Sequence, residues 1–93
     1  MSAPIIEGYN SSNLTSTAAV TTKPCFMAGF YVNSTNVGTI VFRDGGASGT
    51  AISGTITPAA GTFHWFPAII GGSLHATIAG TALDVTIFFN TGV

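Results

Sequence analysis

Residues 42–50 read FRDGGASGT, which sets an arginine and an aspartate side by side ahead of three glycines. Backbone amides in a glycine-rich turn can cradle a phosphate, and adjacent charges could serve a catalytic turn. A Walker loop would need a lysine followed by Ser or Thr after its glycines and then a helix, while a dinucleotide fingerprint would need a strand-helix-strand unit. Neither context surrounds this stretch. It is expected to be a corner between two strands: Asp44-Gly45 opens a hairpin turn, Gly45, Gly46 and Gly49 supply positive φ, and Asp44 bonds to its own backbone. Arg43 and Asp44 would then form a local, partly solvated pair of little worth, unless Arg43 reaches a carboxylate on a neighbouring subunit.

The rest of the reactive inventory is short. His64, His75, Cys25, Asp84 and Glu7 complete, with Asp44, the ordinary acid, base and metal-ligand groups. No HxH, CxxC or His-x-x-x-Glu spacing occurs, so no metal ligand set and no cofactor is expected within one chain; a ring of His64 or His75 about a three-fold axis is the one conceivable arrangement. Serines are plentiful, yet none lies in a Gly-x-Ser-x-Gly elbow. An enzyme must concentrate its polar chemistry somewhere, and no concentration is visible, so the chain is expected not to be an enzyme and to have no catalytic residue. Cys25 stands alone within an apolar run and is expected to be a buried small hydrophobe. Sequons at Asn10, Asn13 and Asn33 read as chance products of a Ser/Thr/Asn-rich chain.

The elements that must position these residues read as strands. Thr, Val, Ile, Phe and Gly fill most windows, and no Gly-free apolar pattern with helical period runs for three turns. The expected fold is all-β: a small single-domain antiparallel β-sandwich or jelly-roll-like barrel, over residues 15–93, with an extended N-terminal arm over residues 1–14. Short period-two segments separated by Gly, Asn, Pro and Ser predict about seven strands. They cover residues 17–22, 25–33, 39–43, 50–56, 62–68, 73–79 and 82–89. The last puts Leu83, Val85, Ile87 and Phe89 on one face, the clearest core stripe in the chain, and Asp84, Thr86 and Phe88 on the other. The second alternates Phe26, Ala28, Phe30 and Val32 with Cys25, Met27, Gly29 and Tyr31, so both of its faces are apolar and one needs a second cover. In the fifth, Phe63 and Trp65 share a face and His64 and Phe66 share the other. Pro24, Pro58 and Pro67 fall where strands should end or lie at an edge.

Composition narrows the function. Of 93 residues, 46% are hydrophobic and only 5% charged, with a formal net charge of -1, against roughly a quarter charged in an ordinary globular chain. Charge repulsion contributes little to solubility, so the chain is expected to be buried in an assembly, as a homo-oligomer for which a trimer is plausible. Lys23 and Arg43 are too few bases for a nucleic-acid partner. No apolar run approaches the roughly 20 residues of a membrane span, and MSAPIIEGYN has no secretory character, so synthesis in a cytoplasm is expected.

The later strands also resemble a known group. A strand ending in a DGGASG turn is followed by ISGTITP, by FP, and by GGSLHATIAGTALDVTIFF. Over residues 17–90 this is similar to small virion proteins of tailed bacteriophages, whose chains carry an F-P-x-x-x-x-G-L-x-x-x-I-x-G-T-like run before a terminal strand. The matching positions are Phe66, Pro67, Leu74, Ile78, Gly80 and Thr81, with Ser73 before Leu74. The resemblance implies a β-sandwich on the exterior of a capsid or tail and assigns no catalytic residue. It implies a location in the virion after synthesis in the bacterial host's cytoplasm. The expected role is a capsid decoration or cement subunit clamping the major capsid protein or other virion proteins, or else a fibre, spike or baseplate module that binds host surface glycans. Candidate interface residues are Ile5, Ile6 and Tyr9 in the arm, Met27 and Tyr31 on the second strand, Phe63 and Trp65 on the aromatic strand, and Phe88 on the last.

Overall fold

The computed structural model describes residues 9–34, 37–81 and 83–91. Ile5 and Ile6 lie outside the described residues. Among the described residues, eight strands follow one another without an intervening helix: β1 Asn10–Leu14, β2 Ala18–Thr21, β3 Cys25–Ser34, β4 Val37–Asp44, β5 Thr50–Ala51, β6 Phe63–Ile70, β7 Leu74–Thr81 and β8 Asp84–Asn90. Two four-stranded sheets form, one in the order β1-β8-β3-β6 and the other β2-β7-β4-β5. Every pairing is antiparallel, and the pairs include β1 with β8, β2 with β7, β3 with β6 and β4 with β5. The chain is thus one long hairpin rolled across two sheets, which is the topology of an eight-stranded jelly roll.

The core lies between the sheets. The β8 stripe is buried as expected, with Val85, Ile87 and Phe89 facing inward and Leu83 completing it from the β7–β8 connection. Across from it, β4 and β7 contribute Ile40, Phe42, Leu74 and Ala76. Phe30 of one sheet meets Phe42 of the other with ring centroids 5.0 Å apart. Burying each such ring contributes about 1.5–3 kcal/mol.

Four expectations change. The described end of the predicted arm, Asn10–Leu14, is an edge strand, registered from Asn10 opposite Phe89 to Leu14 opposite Val85. The predicted strand over residues 50–56 shortens to Thr50–Ala51, because Ser53 Oγ accepts the Phe42 N–H in place of a backbone carbonyl, at 3.0 Å. Strand geometry returns only at Ile56, which bridges Ile40 through two 3.0 Å backbone bonds. Strand β6 continues past Pro67 to Ile70. An edge strand tolerates a residue with no N–H, and here the proline also blunts pairing with foreign strands.

The fourth change concerns β3. Its register slips between Met27 and Gly29 against both neighbours. A bulge of this kind places an extra residue in one strand and inverts the alternation beyond it. Cys25 and Met27 therefore face inward before the slip, and Phe30 and Val32 face inward after it, all four buried. Phe26 and Tyr31 are left on the outside.

Candidate functional site

The FRDGGASGT corner is a structural joint. Asp44 ends β4, and its carboxylate reaches the neighbouring β6–β7 turn, where Oδ2 accepts the Gly71 N–H at 3.1 Å and Oδ1 accepts the Gly72 N–H at 3.0 Å. Gly45 donates its N–H to the Ser73 carbonyl at 2.9 Å. Gly45 and Gly46 have φ of 107° and 94°, a region that side-chain-bearing residues avoid. The turn is the expected corner, but Gly49 does not share the positive φ expected of it, and Asp44 binds another turn and not its own backbone. Arg43 points to the opposite face, as consecutive strand residues must. Its Nε donates to Thr77 Oγ1 and its Nη1 to the Gly49 carbonyl, both at 3.3 Å. The two charges therefore serve different contacts.

The histidines are not brought together: His64 is on β6 of one sheet and His75 on β7 of the other. His64 stacks on Phe30, centroids 4.8 Å apart, with its Nε2 3.1 Å from Thr62 Oγ1. His75 is buried, registered between Ala19 of β2 and Arg43 of β4. Its Nε2 has no hydrogen-bonding partner among the described residues. Cys25 is free and buried; loss of solvent pushes its thiol pKa up, and the Asp44 carboxylate adds to the rise. The thiolate needed for nucleophilic chemistry is thereby disfavoured. Among the described residues, no group of three or more His, Cys, Asp or Glu side chains could hold a metal ion.

The distinctive surface is the outer face of the β1-β8-β3-β6 sheet. Among the described residues, six large hydrophobic side chains remain exposed, and all six belong to this sheet or to the residue leading into it: Tyr9, Phe26, Tyr31, Phe63, Trp65 and Ile69. Trp65 is 63% exposed and Ile69 77%. Register arranges them in rows across the strands, with Phe26 between Asn90 and Ile69, Gly29 between Phe88 and Trp65, and Tyr31 between Thr86 and Phe63. With no side chain of its own, Gly29 leaves room for Phe63 to lean over it towards Phe88, at a centroid separation of 6.2 Å. Beside this cluster runs an open groove of about 500 Å³, walled by Tyr9, Phe26, Trp65, Pro67 and Ile69.

One end of the face is polar. Asn13 Nδ2 donates to Asp84 Oδ1 at 2.6 Å and to the Val85 carbonyl at 3.0 Å. Asn33 Nδ2 donates to the same Asp84 oxygen at 3.2 Å and to Thr86 Oγ1 at 2.9 Å. Asp84, the carboxylate that the described residues place on this face, is thus held by amides at its rim.

Of the candidate interface residues, Tyr9, Tyr31, Phe63, Trp65 and Phe88 share this face. Met27 does not: it is 1% exposed and belongs to the core, because the bulge keeps it on the inner side. Sequence reasoning missed Phe26, assigned to the opposite parity by unbroken alternation, and Ile69, which follows the expected end of its strand. Continuing the parity of Phe63, Trp65 and Pro67 by one step would have reached Ile69. Comparison with known protein families, with curated proteins and with solved structures finds no match to this chain.

Proposed function

We propose that this protein is a non-enzymatic structural subunit of a bacteriophage virion, a capsid decoration or cement protein that adheres to neighbouring subunits. The observation that carries the reading is the segregation of the exposed aromatic residues onto one sheet face. A chain with 5% charged residues has little else to keep such a face soluble. In a symmetric shell, neighbours cover it and weak contacts gain strength by repetition. The jelly roll is an architecture that capsid domains share with lectins, which supports the reading by analogy. The test is quantitative mass spectrometry of purified particles of the phage encoding the chain. Hundreds of copies per particle are expected; absence from the particle overturns the proposal.

A second reading, a tail fibre, spike or baseplate module for host glycans, is favoured by the exposed Trp65 beside an open groove that Asn90 also lines. Aromatic planes flanked by polar groups suit a ligand with one apolar and one hydroxylated side. A handful of copies per particle, with measurable glycan binding that Trp65→Ala abolishes, would favour this reading.

A further inference from the structure

We propose that the outer face of the β1-β8-β3-β6 sheet is a self-complementary interface, covered in solution by the same face of a second copy. This rests on reading the face as a protein interface and adds its occupant. The first argument is size. Four strands about 4.8 Å apart and roughly eight residues long at about 3.3 Å each span on the order of 500 Å² in projection. Two such faces bury about 1,000 Å² or more once their corrugation is included, which meets the roughly 1,000 Å² that separates a biological contact from casual packing.

The second argument is composition. The middle of the face has aromatic and aliphatic anchors and no charge, while Asp84 sits at one end, where it accepts hydrogen bonds from the amides of Asn13 and Asn33. An apolar centre with a polar rim is the anatomy of a protein interface. Two copies meeting there bury no ionised group at the centre.

The third argument is shape. A two-fold interface requires that one patch supply both the projection and the hollow that receives it. This face has both, since Trp65 projects from β6 at the lip of the groove of about 500 Å³. Two sheet faces pack with strands crossing at about 30°.

Trp65 is the only tryptophan in the chain, so its fluorescence reports on this face alone. The test follows the full chain by light scattering after size exclusion, and by Trp emission and acrylamide quenching, over about 1 μM to 1 mM. The expected result is a concentration-dependent dimer in which Trp65 emission shifts to the blue and quenching falls in step. Ile69→Lys should weaken the dimer at least about tenfold, because it places an unpaired cation in the interface. Being highly exposed, Ile69 can be replaced without disturbing the core, which circular dichroism checks. Ala79→Lys, on the exposed side of β7 in the other sheet, should leave the dimer intact.

A chain that stays monomeric throughout, with Trp65 equally quenchable at every concentration, overturns the proposal. So does association that Ala79→Lys breaks and Ile69→Lys spares. The virion reading fails separately: a monomer abundant in particles sinks only the pairing, and a dimer absent from particles sinks only the virion role.

Discussion

Gly29 lies under the ring of Phe63, and a methyl group added to Gly29 would stand 3.1 Å from Phe63 Cζ and closer still to the His64 carbonyl oxygen. The backbone of β6 cannot move away without breaking its pairing with β3, so this glycine is required by contact and not by turn geometry. Gly29→Ala is expected to cost about 2 kcal/mol, lowering the melting temperature by roughly 10 °C. Thermal denaturation followed by circular dichroism checks this; an unchanged midpoint would show that β3 and β6 can separate freely.

Asp44 joins two turns that are far apart in sequence through two charge-assisted bonds to Gly71 and Gly72. Asp44→Ala is expected to lose about 2 kcal/mol of stability in urea denaturation. Asp44→Asn should recover little of it, since one amide oxygen can replace only one acceptor and the amide nitrogen then faces a backbone donor. Recovery to the parental midpoint by asparagine would show that the carboxylate does not clamp both amides.

Met27 and Ile69 test the bulge. Both are apolar residues of neighbouring strands, but Met27 is in the core and Ile69 is on the surface. Met27→Ala should cost about 2–5 kcal/mol, whereas Ile69→Ala, measured at low concentration, should stay within about 0.5 kcal/mol. Equal effects would place the register slip elsewhere.

Cys25 should react with a thiol reagent at least about a hundredfold more slowly in the folded chain than in urea, since it is buried and its thiolate is disfavoured. Its raised pKa also sets a pH dependence. The folded state holds the thiol proton more tightly than the unfolded state, so this contribution is fully present below the ordinary thiol pKa of about 8.5. It is lost as pH rises from there through the folded value. Stability should fall over that alkaline range, and Cys25→Ala should remove this part of the decline despite its own cavity cost; an identical slope in the variant would rule the thiol out as its source.

Much of this architecture was legible locally. The alternation of Leu83, Val85, Ile87 and Phe89 identified a buried stripe because a strand with one wet and one dry face must repeat every two residues. The same rule paired Phe63 with Trp65, and the glycines after Asp44 announced a corner. The low charge of the chain indicated that its surface would be unusually apolar.

Which apolar surfaces meet was decided only by long-range pairing. Residues 10–14, polar and read as part of an arm, became a strand because β8, about 70 residues later, offered an open edge. The slip beside Met27 depends on two partners at once, β6 and β8, and no window of β3 contains that information. It turned Met27 inward and Phe26 outward against the simple alternation. The order β1-β8-β3-β6 then gathered Tyr9, Phe26 and Trp65, distant in the chain, onto one face. Period two assigns a residue to one side of its strand; the register and order of the strands determine which sides combine into a surface.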